Sequence, residues 1–256
     1  MRCLCYIEVM SQEPEQKQPN SELEFDDTDL VPRRRFLTLA GVGLLTIGFG
    51  SLAEGVVGGL SEPLNQQVES LIFKPQQPVP EFPTSAIEPE KLIINSFRGT
   101  PTINPLAYRL TIDGEVNNPL SLSMGDLQKA PFTSMVIRHV CVEGWAAIVQ
   151  WGGVRLRDLI AIAQPSAQVK YVYFYSADGY YESWDIDSVM HPQTLMAYQK
   201  NGQALTPEYG APLRLASPVK LGYKLSKWVT RIQMTSVLGK KRGYWEDLGY
   251  EWYAGL

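Results

Sequence analysis

One cysteine stands alone in the body of the sequence. Cys141 is the only cysteine beyond Cys5, and it closes the run Val136-Ile137-Arg138-His139-Val140-Cys141 ahead of Val142-Glu143-Gly144-Trp145. The run is rich in β-branched residues and reads as a strand that delivers the thiol to a turn, where sheets gather functional groups. Arg138 and His139 beside it would favour the thiolate, the form that attacks carbonyls and binds metals. His139 and Cys141 are two apart on the strand, hence on one face with Cα atoms roughly 6.5 Å apart. That leaves a Cys-His hydrolytic pair open. Against it, neighbouring same-face side chains diverge from the pleat, and no glycine-rich elbow surrounds the cysteine. The plain alternative is a buried thiol acting as a small apolar residue.

A second group is cationic: Arg214, Lys220, Lys224 and Lys227, around Gly210-Ala211-Pro212-Leu213 and Leu221-Gly222-Tyr223. Scattered lysines are ordinarily a solvated face. A tight loop at Gly222 would instead let backbone N–H groups and cations hold a phosphate, with Arg214 as the bidentate member and the lysines as point charges. The aromatic tail Tyr244–Tyr253 reads either as a strap over the core or as the rim of a cleft.

The elements that must position these groups are short. Tyr108–Val116, Val136–Cys141, Val169–Ser176, Tyr180–Trp184, Thr194–Gln199, Ala204–Leu205, Leu213–Ala216 and Val229–Val237 read as strands. Asn201-Gly202 marks a hairpin. Trp151-Gly152-Gly153-Val154 reads as a Gly-Gly loop leading to a helix, Leu156–Ala163, with Leu156, Leu159, Ile160 and Ala163 on one face. Ser123 and Asp126 form a capping box for a short helix that Pro131 ends, and Asp185 caps another toward Met190. Many short strands with few short helices predict an α+β domain with mixed sheets.

The 256 residues are 45% hydrophobic and 20% charged, an ordinary globular balance, and a net charge of −4 argues against a nucleic-acid partner. No Walker loop, Gly-x-Gly-x-x-Gly, His-Glu-x-x-His or Cys-x-x-Cys occurs, and with two histidines a metal is expected only inside an imported cofactor. Residues 1–32 are acidic and expected to be disordered. Arg33-Arg34-Arg35-Phe36-Leu37 opens a glycine-rich apolar run to Ala53, shorter than the about 20 residues of a membrane span. The pattern resembles a twin-arginine export signal, with an N-terminal membrane anchor as the alternative. Residues 54–91, with Pro75, Pro78, Pro80, Pro83 and Pro89, are expected to be an extended linker, and residues 92–256 the folded domain.

Five blocks in order carry a resemblance: Arg138–Trp145, Trp151-x-Gly-Val-x-Leu, Met190-His191-Pro192-x-Thr194-Leu195-Met196, Gly210–Arg214 and Lys220–Lys224. Together they resemble the molybdopterin-binding domain of the sulfite oxidase family, and more closely its bacterial branch that includes periplasmic protein-methionine-sulfoxide reductases. The resemblance implies an oxidoreductase with a Mo-molybdopterin cofactor, in which Cys141 joins the two dithiolene sulfurs as metal ligand. Arg138 and His139 would tune the metal or face a small-molecule substrate. Asn95 and Arg98-Gly99 would contact the pterin, and Ser176 stands where the reductases have threonine. Tyr209 stands where they have asparagine. Arg214 and Leu225-Ser226-Lys227 would hold the pterin and its phosphate. The implied reaction moves an oxygen atom to or from a sulfur or similar substrate. No haem motif Cys-x-x-Cys-His is present, so a separate redox partner is expected, for which a membrane haem protein would serve. A metal-free thiol hydrolase and a cofactor-free binding module are the rival expectations.

Overall fold

A computed structural model describes residues 74–256; the acidic stretch, the twin-arginine segment and the first part of the linker lie outside the described residues. In the first sheet, β1 (Leu110–Gly114) pairs antiparallel with β2 (Leu120–Leu122) and parallel with β10 (Val229–Thr235). Beyond β10 lie β5 (Tyr171–Ser176) and β6 (Tyr181–Asp185), both antiparallel. The second sheet runs β3 (Phe132–Val140), β4 (Ala146–Arg155), β7 (Leu195–Lys200) and β8 (Gln203–Ala204), with β9 (Arg214–Ala216) also paired to β7. Three short α-helices join these among the described residues: α1 (Met124–Lys129), α2 (Leu156–Ala163) and α3 (Ile186–Val189). The α+β expectation with mixed sheets holds.

Local chemistry explains the helices. Ser123 accepts from the Asp126 amide and Asp126 returns a bond to the Ser123 amide, a reciprocal cap worth about 1 kcal/mol. Asp185 likewise accepts from the Ser188 amide at the start of α3. On α2, Leu156, Leu159, Ile160 and Ala163 are the buried residues, and they join Ile112, Phe174 and Ile232 in the larger core cluster. Each large apolar side chain so buried stabilises by about 1.5–3 kcal/mol, so packing rather than propensity holds a helix of eight residues. At the β7–β8 turn, Asn201 and Gly202 take φ of 51° and 75°, the left-handed pair that the hairpin signal requires.

Two sequence expectations need correction. Gly152-Gly153 is not a loop: both residues lie inside β4, at the bulge where its pairing to β7 shifts register. A Cβ on Gly153 would stand 2.1 Å from the Met196 carbonyl oxygen and 2.7 Å from the Ala197 Cα. Glycine is there because β7 approaches too closely for any side chain. The described part of the proline-rich stretch is not simply extended: it forms a short 3-10 helix at Thr84–Ala86, and from Glu81 on it is tied to the second sheet. Phe82 donates to Val136 O, the Val136 amide to Glu81, and the Ile148 amide to Glu88. Leu92 then buries itself in the smaller core cluster with Met135, Ile137 and Trp151.

Gly153→Ala is therefore expected to destabilise the domain by about 1–3 kcal/mol, the usual penalty of overpacking, read as a lower urea midpoint. A midpoint equal to that of the unsubstituted chain would contradict the close approach.

Candidate active site

β3 ends at Val140, and the chain turns over Cys141–Trp145 into β4. The Cys141 amide donates to Trp145 O at 2.9 Å and the Gly144 amide to Cys141 O at 3.2 Å. Gly144, at φ +89°, supplies the left-handed residue that this tight return needs. The strand-to-turn expectation for Cys141 is met, and its sulfur faces a cavity of about 370 Å³. Alternation along β3 separates its neighbours. His139 points inward and lines the cavity. Arg138 points to the other face, exposed, with its guanidinium 5.3 Å from the Phe82 ring centroid.

The expected activation of the thiol by Arg138 and His139 is overturned. Burial pushes the Cys141 thiol up, and the nearby Glu143 carboxylate adds to that. Glu143 Oε2 lies 3.6 Å from Sγ and is held by Asn95 Nδ2 at 3.0 Å and Trp145 Nε1 at 2.9 Å. His139 is pushed down to about 3 by burial and by the Arg214 charge, so its ring is neutral. The ring stacks on Trp145 at 5.7 Å, and its Nδ1 is buried with no hydrogen-bond partner. A neutral histidine with no orienting partner and a thiol held protonated do not make a hydrolytic pair. Glu143, which composition and spacing left without a role, is the group that meets the sulfur.

Two cations occupy another part of the same cavity. Arg214, at the start of β9, is 5% exposed, and its donors reach backbone carbonyls: Tyr209 at 3.0 Å, Leu215 at 3.3 Å and Leu225 at 3.4 Å. It stacks over Trp151 at 4.5 Å, and burial pushes it down to about 9. Lys227 donates to Glu208 O at 2.8 Å, and burial with the Arg214 charge pushes it down to about 8. No carboxylate among the described residues forms an ion pair with either cation. Gly210, at φ +105°, lets the preceding turn lie on both: a Cβ there would meet Arg214 Cβ and Lys227 Cβ at 3.1 Å. The Ser226 hydroxyl, also at the cavity, is buried without a partner.

The remaining expectations divide. Asn95, Tyr209 and Leu225 line the cavity, whereas Arg98, Gly99 and Ser176 do not. Arg98 packs with its guanidinium on the ring of Phe97, which does line the cavity. Ser176 is buried beneath, its hydroxyl without a partner. Lys220 and Lys224 are not phosphate-facing point charges. Lys220 pairs with Asp185 at 3.0 Å, and Lys224 with Glu182 at 2.6 Å and Glu246 at 2.5 Å. The aromatic tail does both things expected of it: Trp252 is buried, while Trp245 and Tyr250 line the cavity.

A thiol, two cations with no direct ion pair and an orphaned hydroxyl around one cavity, with Asp178 and Glu208 acting on Lys227 only through space, suit a large anionic group that also engages sulfur chemistry. The family model of the oxidoreductase molybdopterin-binding domain matches residues 97–245, and the chain belongs to that family. It is 35% identical over 237 residues, 89% of each chain, to a protein of Azospira oryzae named as the protein-methionine-sulfoxide reductase subunit YedZ1. It is also 35% identical over 173 residues to the protein-methionine-sulfoxide reductase catalytic subunit MsrP of Campylobacter jejuni, covering 60% of this chain and 58% of that one. Among solved structures, sulfane dehydrogenase SoxCD from Paracoccus pantotrophus matches with a TM-score of 0.52 and 27% identity, over 56% of this chain and 42% of its own. The protein is thus a molybdopterin-dependent oxidoreductase of the sulfite oxidase family with Mo-molybdopterin as cofactor, and the unpaired cations fit a phosphate-bearing group.

If Arg214 and Lys227 form an anion site, inorganic pyrophosphate should raise the melting temperature of cofactor-free protein by a few degrees at saturating concentration. The rise should be lost in Lys227→Gln. An equal rise in that variant would place the anion elsewhere.

Proposed function

We propose that this chain reduces sulfoxides, methionine sulfoxide in polypeptides foremost, as the catalytic unit of an exported system. The observation that carries the reading is the placement of an unpaired thiol and an unpaired buried guanidinium on one cavity. Relatives named for protein-methionine-sulfoxide reduction support the direction. Cys141 would hold the molybdenum; Arg214, Lys227 and Ser226 would hold the phosphate end, with Asn95 and the Tyr209 and Leu225 segments beside the pterin. When bound, the cofactor supplies oxygen-atom and two-electron exchange. Balanced, a sulfoxide takes up two electrons and two protons and leaves as thioether and water.

The chain's own residues shape that exchange. Phe97, Trp245 and Tyr250 form an aromatic wall that excludes water and suits a thioether methyl group. Glu143 fixes Asn95 and Trp145 on the sulfur side of the cavity. His139, neutral and stacked, positions Trp145 rather than moving a proton. Electrons would come from a separate one-electron carrier protein, and the twin-arginine segment would export the folded, loaded chain. Among the described residues no helix is long and apolar enough to cross a membrane.

Full-length chain produced with its cofactor should carry molybdenum and, with reduced viologen as donor, reduce methionine sulfoxide. Cys141→Ala should lose both metal and turnover. A metal-free chain that still turns over, or a fully loaded Cys141→Ala protein, would sink the reading. Sulfite oxidation without sulfoxide reduction would reverse its direction.

A further inference from the structure

Lys224 is fully buried and is met by two carboxylates from different parts of the chain. Glu182 comes from β6 and Glu246 from the C-terminal strap, at 2.6 and 2.5 Å, and Ser183 O accepts a third bond at 3.1 Å. All three charged side chains have at most 1% exposure. Each carboxylate keeps one oxygen, Oε2, buried without a partner. One ammonium cannot neutralise two carboxylates, and an extra negative charge in the interior is strongly unfavourable. A proton retained on Glu182 removes that excess charge. Burial, with Glu246 adding to it, pushes Glu182 well above the ordinary carboxylate range.

The strap that brings Glu246 also walls the active-site cavity. Trp245 and Tyr250 line it, and Tyr244 packs at 4.3 Å on Phe97, another lining residue. The strap backbone lies directly on the acid pair: a Cβ on Gly243 would stand 2.0 Å from Glu246 Oε2 and 2.8 Å from Glu182 Oε1. Its other ties are the bridge of Gly243 to Glu182, Tyr244 N to Tyr181 O at 3.0 Å, Tyr223 Oη to Glu251 O at 2.6 Å and, at its far end, the buried Trp252, whose Nε1 donates to Ser183 Oγ at 2.9 Å. The further titratable groups facing the pair are the hydroxyls of Tyr180, Tyr181 and Tyr223, all pushed up and so neutral. Asp247 points outward to the Tyr181 hydroxyl and the Arg242 amide.

We infer that the strap from Gly243 to Trp252 is a gate on the cavity, held shut while Glu182 keeps a proton beside Glu246 and Lys224 and loosened when that proton leaves. The sign follows from linkage. The closed state keeps the proton to higher pH than the open one, so closure is strongest at low pH and weakens as pH rises through the raised value. Beyond the ordinary carboxylate range, opening should grow by up to about tenfold per pH unit for one proton released.

Hydrogen exchange of the full-length protein between pH 5 and 9, corrected for intrinsic rates, tests this. Amides of residues 243–252 should lose protection with that slope while those of β10 do not. Glu246→Gln leaves a balanced Lys224–Glu182 pair and should flatten the slope; Asp247→Asn should keep it. Infrared difference spectra should show a buried protonated carboxyl that titrates with the strap and is missing in Glu246→Gln. A strap whose protection is flat in the unsubstituted chain, or falls in step with β10, overturns the gate even if the Gln variant does not fold. So does a slope that survives in Glu246→Gln.

Discussion

A guanidinium sealed inside a protein with only carbonyls for company is an expensive arrangement, and much of the cavity's architecture is arranged around it. Arg214 meets three backbone carbonyls from three segments and lies on the Trp151 ring. Those dipoles and that π-face offset part of the desolvation, but no carboxylate completes the charge. Lys227 sits close enough to depress its own proton affinity through Arg214. Two like charges held together by the fold are unfavourable unless an anion joins them. This unmatched positive charge, more than the cavity's size, tells what class of ligand the site receives.

The sulfur side follows a complementary logic. A thiol raised by burial and by Glu143 is a poor nucleophile at neutral pH. It is, however, a serviceable ligand, because coordination itself drives off the thiol proton. What weakens the hydrolase therefore leaves the ligand reading intact. The neutral, stacked His139 belongs to the same picture, since burial and the Arg214 charge disfavour a further cation there.

Legibility in the sequence tracked how local the cause was. The α2 face, both side-chain caps and the Asn201-Gly202 hairpin depend on neighbours within a turn, and each was readable. The Gly152-Gly153 pair was not, because its causes are distant: the Phe132 ring of β3 beside Gly152, and β7, more than forty residues on, 2.1 Å from the absent side chain of Gly153. Lys220 and Lys224 were misjudged for the same reason: their carboxylates stand 22 to 42 positions away. Alternation on β3 could have assigned Arg138 to the face opposite His139. The family blocks identified the cofactor class but not which flanking residues line the cavity, among them Phe97.

That last point bears on how one cofactor serves several sulfur chemistries. His139, Cys141, Arg214, Ser226 and Lys227, the proposed cofactor cradle, all lie within the family match at 97–245. Ile93, Asn95, Trp245 and Tyr250 line the same cavity from the edges of that match or beyond them. His139 and Arg214 sit on strands of the second sheet, and Cys141 directly follows one, so little can shift there without unpairing a ladder. The rim comes from an N-terminal segment and a C-terminal strap, held by single hydrogen bonds, ring contacts and one buried acid pair. Substrate choice can change there while the cradle stays as it is.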